Sequence, residues 1–205
     1  MKTTIYFSTG TGNSLWTAKK LSESLNETRL IPIALAGGGP INPDSENVGF
    51  IFPVHIWGIP SPVIDFLNRL EPDQSKYYFA VAVNAGQVAA TLIQLQTILQ
   101  GKNINLSGGF SICMPSNYIP WSGADPQDKQ QKTFRKALDN INRIALSVRS
   151  KEKKEPEKGP FWQNIFSPLF TAYLILMFPK WINHFWQTKN AQAAESAKKS
   201  APLKI

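Results

Sequence analysis

Cysteine is almost absent from this chain, because Cys113 is its one thiol among 205 residues. A single cysteine excludes an intramolecular disulfide, a four-cysteine zinc site and an iron–sulfur cluster built by this chain alone. The two histidines and the acidic residues show no metal-site spacing, and no Ser/His/Asp or Cys/His nucleophile set is visible. We therefore predict no metal site and no catalytic side chains.

A long apolar run is also missing. The most apolar stretch lies between Pro168 and Pro179, about half of the roughly 18 residues that a membrane-spanning helix needs. The chain opens on a strand pattern without a charged and then apolar leader, so we expect no secretory signal and a cytoplasmic location. Residues 1–150 carry 13 Lys and Arg against 10 Asp and Glu, whereas residues 151–205 carry 9 against 4. This basic tail argues against nucleic-acid binding, which needs cations gathered on a folded face.

Short apolar segments alternate with segments of helical periodicity along the first 150 residues. The predicted strands are 3–7, 30–33, 48–54, 77–83 and 106–114, and the predicted helices are about 15–25, 60–70, 88–99 and 127–148. This alternation predicts an α/β domain with a doubly wound, five-stranded parallel sheet of order 2-1-3-4-5. Pro32 is tolerated in the second strand only at a sheet edge or strand end. Cys113 should pack inside the fifth strand as a small apolar residue.

The composition divides the chain into one main domain and three shorter segments. Residues 1–150 form the main domain, 151–160 a charged, solvated linker, 161–187 an aromatic helical extension, and 188–205 a disordered tail. In a sheet of this order, ligands bind at the carboxyl ends of strands 1, 3 and 4. Candidate binding residues should therefore follow those three strands.

The loop after the first strand has the composition of a phosphate site. Its residues are Ser8, Thr9, Gly10, Thr11, Gly12, Asn13 and Ser14. Glycines let successive backbone N–H groups turn toward an anion, hydroxyls add donors, and the following helix contributes its positive end. The segment lacks the Lys of a P-loop and the third Gly of a dinucleotide fingerprint. The alternative is an ordinary capped turn, in which Asn13 or Ser14 satisfies the helix N–H groups.

Residues 6–14 resemble the FMN phosphate loop of flavodoxins. They are most similar to the flavodoxin half of flavodoxin–ferredoxin fusion proteins of anaerobes, which often read Phe-Ser-Gly-Thr-Gly-Asn-Ser/Thr; Thr9 stands here at the commoner Gly position. The resemblance spans about residues 1–150 and implies a flavodoxin-like fold, one non-covalent FMN and electron transfer. The two Cys-rich ferredoxin motifs of the fusion proteins do not occur in this sequence.

The resemblance also implies flavin contacts after the third strand. The residues concerned are Pro53, Val54, His55, Ile56, Trp57 and Gly58. Trp57 would stack on the flavin ring, unless it only packs in the fold. Gly58 would let a peptide turn over and offer its carbonyl to the reduced flavin. His55 is expected to be structural, although its charge near pH 6.5 could tune the potential.

Two further loops complete the predicted site. Asn84, Ala85, Gly86 and Gln87 follow the fourth strand, where flavodoxins hold the pyrimidine edge of the ring with backbone groups. Tyr118 lies in a Met-Pro-x-Asn-Tyr-Ile-Pro pattern after the fifth strand, which resembles the fusion proteins and would bring Tyr118 to the flavin. A rigid loop with a buried Tyr is the alternative.

Three functions remain open at this stage. The first is an FMN electron carrier that serves redox partner proteins of ferredoxin or reductase type. The second is an FMN-dependent NAD(P)H oxidoreductase acting on a quinone or similar small molecule, and the third is a flavin-free docking module. Residues 161–187 would pack back onto the sheet, contact a second copy of the chain or lie at a membrane surface. Their Trp and Lys residues suit the headgroup region of a membrane.

Overall fold

The structure is a computed structural model that describes residues 1–116 and 125–160. The strands within these residues are β1 (Thr3–Phe7), β2 (Thr28–Pro32), β3 (Asn47–Pro53), β4 (Tyr77–Asn84) and β5 (Leu106–Cys113). The α-helices within them are α1 (Asn13–Ser24), α2 (Ser61–Asn68), α3 (Thr91–Gln100) and α4 (Gln127–Arg149). A short 3₁₀ turn, Ile33–Leu35, follows β2.

All five strands run parallel in the order β2-β1-β3-β4-β5. The predicted fold class and strand order are therefore confirmed. Pro32 pairs with Phe7 at the last position of the edge strand β2, where a missing N–H costs no central ladder bond. β4 is buried along its whole length and β3 up to Pro53, as expected for strands covered on both faces.

Apolar side chains pack on both faces of the sheet. Phe50, Phe52 and Tyr78 join α2 and α3 on one face, whereas Ile51 and Phe79 join α1 and α4 on the other. The Phe79 ring fits only because residue 49 is a glycine, since a Cβ there would lie 2.3 Å from a ring carbon. Burying each such side chain stabilises the fold by roughly 1.5–3 kcal/mol, and these two layers hold the strand ends in place.

Residues 151–160 lie along the outer edge of β5, and we call them the edge segment. Lys154 N donates to Ser107 O at 2.8 Å, and Glu157 N donates to Gly109 O at 2.9 Å. The Glu157 carboxylate accepts the Ser111 N–H at 2.7 Å. Most of its side chains are exposed, in agreement with a charged segment, yet Pro156 is buried. The backbone is thus bound to the sheet, which the solvated-linker prediction did not include.

Several predictions lie outside the described residues. They concern Tyr118, the aromatic extension 161–187 and the tail 188–205. Within residues 1–116 and 125–160, no helix combines the length and apolar content that crossing a bilayer requires.

Candidate functional site

The loops after β1, β3 and β4 meet at the carboxyl edge of the sheet. Ser8 continues the ladder beyond β1, because its N–H donates to Ile51 O at 2.9 Å. Ser8 and Thr9 are buried, and Thr11 at the loop tip is exposed. Thr9 Oγ1 accepts the Gly12 N–H at 3.2 Å, which folds residues 9–12 into a compact turn. Asn13 and Ser14 then begin α1.

The N-terminus of α1 has no side-chain cap among the described residues. Gly12 is the N-cap residue, with φ +101° and ψ −21°, and the first turn holds no acidic side chain. The Asn13 amide points elsewhere, since its Nδ2 donates to Pro115 O at 3.1 Å. The ordinary capped turn, which was the alternative for this loop, is therefore not what the structure contains. The helix N–H groups and the positive end of the helix dipole face the loop.

Ser14 adds a second sign of an incomplete polar site. It is 1% exposed, and its Oγ has no hydrogen-bond partner among the described residues. A buried hydroxyl without a partner is unfavourable by roughly 1–3 kcal/mol. A methyl group at Gly12 would meet no described atom within 4 Å, so space is open at the N-cap. Open space, a free helix end and an unpaired hydroxyl together fit an anionic ligand.

A tight turn follows β3. Val54 N donates to Val83 O at 2.7 Å, and His55 and Gly58 exchange two backbone hydrogen bonds of 3.0 and 2.9 Å. The two residues between them, Ile56 and Trp57, have φ angles of +49° and +59°. This φ pattern belongs to type I′ turns, where Asn and Gly are the usual residues. A β-branched residue at positive φ is strained, and such strain concentrates at functional sites.

Gly58 lies at the end of this turn, and the role that the resemblance implies for it stays a prediction. The Gly58 N–H and carbonyl are both bonded to His55, and the residues at positive φ are Ile56 and Trp57. Burial lowers the pKa of His55 from its ordinary 6.5 to about 4. A lowered pKa favours the neutral imidazole at pH 6.5, and the structural role expected for His55 stays a prediction. Pro53 ends β3 beside Val83 and completes this part of the site.

The loop after β4 is built around Asn84. Its Oδ1 accepts the Gly86 N–H at 2.8 Å, and its Nδ2 donates to Ser111 Oγ at 2.8 Å. Gly86 has φ +119°, which L side chains rarely adopt. Ala85, Gly86 and Gln87 are exposed. A rigid, buried Asn thus presents a short exposed loop beside the β3 turn.

Side chains join the loops to one another. The Trp57 indole Nε1 donates to Gln87 Oε1 at 2.7 Å, which links the β3 and β4 loops. Gln94 Nε2 on α3 approaches Trp57 O at 3.5 Å. Gln94 contributes to the site but was not predicted, because its contact depends on tertiary structure and leaves no local motif. Pro115 lies in the Met-Pro-x-Asn-Tyr-Ile-Pro pattern, but the bond of its carbonyl to Asn13 was not predicted.

The prediction for Cys113 was wrong, because this residue is exposed at the end of the outer strand β5. Although the residue as a whole is exposed, partial desolvation of its sulfur raises the pKa of the thiol, and the nearby Asp125 carboxylate raises it further. A raised thiol pKa lowers the thiolate fraction, so Cys113 is not an activated nucleophile.

Comparisons with solved structures agree with this architecture. A flavodoxin of Streptococcus pneumoniae TIGR4 superposes with a TM-score of 0.52 at 10% identity, covering 74% of this chain and 99% of that one. A short-chain flavodoxin associated with a non-canonical PDU bacterial microcompartment superposes with a TM-score of 0.50 at 13% identity, covering 73% and 98%. Likeness at these identities shows the flavodoxin-like fold alone. No protein-family model and no curated protein matches the chain.

Proposed function

We propose that this chain binds one FMN non-covalently and serves as an electron-transfer protein. The observation that supports this most is the uncapped N-terminus of α1, which lies at the end of β1 behind a neutral loop of hydroxyls and glycines. In this fold class, ligands bind at the carboxyl edge where the chain reverses direction across the sheet. The first loop occupies that position.

Residues 8–14 would hold the phosphate of the nucleotide. The backbone N–H groups at the start of α1 and the buried Ser14 hydroxyl would be the donors to a dianion. Described residues place no carboxylate in the first turn of α1 to oppose it. Charge-assisted hydrogen bonds of this kind contribute about 1.5–3 kcal/mol each. Hydrogen bonds from amides and hydroxyls would thus stabilise the phosphate charge without Lys or Arg.

The second and third loops would enclose the ring. Trp57, oriented by Gln87, offers the flat apolar surface that an aromatic cofactor needs. The exposed loop Ala85–Gln87, whose Gly86 N–H is held by Asn84, would bring its other backbone N–H groups to the polar edge of the ring. Bound FMN supplies one- and two-electron transfer, and the protein supplies binding, orientation and exclusion of water.

The finer features of this proposal come from the sequence resemblance. We propose that residues 1–150 are the flavin domain, that the chain is related to the flavodoxin half of flavodoxin–ferredoxin fusion proteins, and that its partner is a separate redox protein. Tyr118 would complete the flavin contacts.

Thr11→Asp tests the phosphate loop. A carboxylate at the exposed loop tip would repel a dianion, so we expect FMN affinity to fall by about 2 kcal/mol or more, roughly 30-fold. Thr11→Asn is the matched control, because Asn has the size of Asp without its charge. Fluorescence titration of the apoprotein with FMN measures both.

Equal affinities for the Asp and Asn variants would show that no phosphate lies beside Thr11. A purified protein that is colourless and takes up no FMN would refute the function as a whole. Rapid NAD(P)H oxidation with a quinone by the FMN-loaded protein would instead establish the oxidoreductase alternative over the carrier.

A further inference from the structure

The positive charge of the described domain is concentrated on helix α4. Residues 1–116 carry seven Lys and Arg and seven Asp and Glu, so their formal charges cancel. Helix α4 alone carries six Lys and Arg against two Asp. Residues 151–205 carry the larger share of the total excess, and within residues 1–150 the excess lies on this helix.

These cations form a stripe. Lys129, Lys132, Lys136 and Arg143 follow one another at spacings of three, four and seven residues, which places them on one helical face. Arg135 lies beside Lys132 on the adjoining row. All five side chains are exposed. Asp139 lies on the same face and Asp128 four residues before Lys132, so the helix mixes both signs, with cations in excess.

Few of these charges are neutralised within the described residues. Lys129 Nζ lies 2.7 Å from Asp125 Oδ1, and Arg143 bonds the Asn140 side chain. The described part of the chain gives Lys132, Arg135 and Lys136 no ion pair. Three adjacent cations therefore remain available to an anionic surface.

The N-terminal half of α4 adjoins the candidate site. Asp125, just before the helix, accepts the Ser116 N–H at 3.2 Å, and the neighbouring Pro115 carbonyl accepts from Asn13 in the first loop. Lys129 and Lys136 lie close enough to Cys113, at the carboxyl end of β5, to oppose the rise in its thiol pKa. A molecule bound to this half of the helix would approach the loops that hold the proposed cofactor.

The charge of α4 and an exposed leucine on it indicate what kind of molecule binds there. A second copy would present the same positive stripe, and residues 161–205 carry five Lys against one Glu, so neither complements the helix. Leu138, three residues after Arg135 on the helix, is 39% exposed, and protein interfaces combine apolar and charged side chains. These observations favour an acidic protein over a nucleic acid or another copy of this chain.

We propose that the N-terminal half of α4, residues 129–138, is the docking surface for an acidic partner protein. Its cations would steer the partner to the carboxyl edge of the sheet and fix its orientation there. That the partner exchanges electrons rests on the proposed function; that it is acidic and docks on α4 does not.

The test compares two charge-reversal variants of the full chain. Lys132→Glu with Lys136→Glu changes the stripe, whereas Arg29→Glu with Lys153→Glu makes the same change in net charge at exposed positions on β2 and the edge segment. The probe is a fluorescein-labelled peptide of twelve Glu and Asp residues around a central Leu. Affinity is measured by fluorescence anisotropy at low and high salt, and the binding surface is mapped by ¹H–¹⁵N spectra.

We expect amide shifts to cluster on residues 129–138, affinity to fall with salt, and the stripe variant to bind about tenfold more weakly than the control variant. Equal weakening by the two variants, or shifts confined to other residues, would overturn the proposal. Tighter binding to phosphatidylserine vesicles or to duplex DNA than to the peptide would also overturn it. The titrations are run with and without FMN, so failure of FMN binding leaves this test intact.

Discussion

Replacing Gly12 by alanine distinguishes an effect on folding from an effect on cofactor binding. It holds the N-cap of α1 at φ +101°, and a Cβ there would meet no described atom within 4 Å. Gly12→Ala therefore introduces backbone strain without a steric clash. Gly37 is a matched control, because it has φ +72° and the same open surroundings in the loop after the 3₁₀ turn.

The expected loss of stability is similar for the two variants. Alanine in a left-handed conformation costs roughly 1–2 kcal/mol, and the stiffer unfolded chain offsets roughly 0.4–1 kcal/mol of that. A net loss of about 1 kcal/mol corresponds to a fall in Tm of about 2–4 °C for a chain of this size. Thermal unfolding of both apoproteins measures this effect.

The two variants should differ in FMN binding. Relaxation of residue 12 toward negative φ would turn the first N–H groups of α1 away from the loop and remove at least one charge-assisted hydrogen bond. Losing about 1.5–3 kcal/mol would weaken binding roughly 10- to 100-fold, whereas Gly37→Ala should leave the affinity unchanged. If both alanine variants fold and bind FMN as tightly as the parent chain, the first loop does not hold the phosphate.

Two further predictions concern stability. Because the pKa of His55 falls from 6.5 to about 4 on folding, the unfolded chain binds more protons between these values. Stability should therefore be independent of this group well above pH 6.5 and decline as the pH falls through 6.5 toward 4, by at most about 1.4 kcal/mol per pH unit. His55→Gln should flatten that part of a urea-denaturation profile, and an unchanged slope would refute the lowered pKa of His55. Gly109→Ala would place a Cβ 2.9 Å from Pro156 and should destabilise the fold by about 1–3 kcal/mol, with faster amide exchange at Lys154 and Glu157. Gly101→Ala is its control, since a Cβ there makes only ordinary contacts, and equal exchange in the two variants would contradict the packing described for the edge segment.

The sequence predicted the sheet well because local patterns determine it. β1 begins and ends at the predicted residues, and the other strands differ by one or two residues at their ends. Helix α3 begins at Thr91 rather than near Val88, because residues 88–90 form a turn with Ala89 at positive φ. Apolar periodicity predicts which residues are buried, but it does not resolve the first turn of a helix.

Features that depend on distant contacts could not be predicted. The charged residues of the edge segment suggested a solvated linker, since a side-chain pattern contains no information about backbone donors. Cys113 looked buried because its neighbours are apolar, yet it lies on the outer strand. The strained turn at Ile56 and Trp57 is likewise invisible in the sequence, because neither residue favours positive φ. The hydroxyl and glycine composition of residues 8–14 was informative, but only the structure revealed that α1 lacks a side-chain cap.

The edge segment limits how copies of this domain can associate through their sheets. An uncovered outer strand is a template for strand addition, which leads to domain swapping and fibrils. Lys154 and Glu157 use the Ser107 and Gly109 carbonyls of β5, so among the described strands only β2 presents its outer edge to other chains. A recombinant fragment that ends at residue 150 would expose the outer edges of both β2 and β5 to self-association. A fragment that retains residues 151–160 keeps the outer edge of β5 covered.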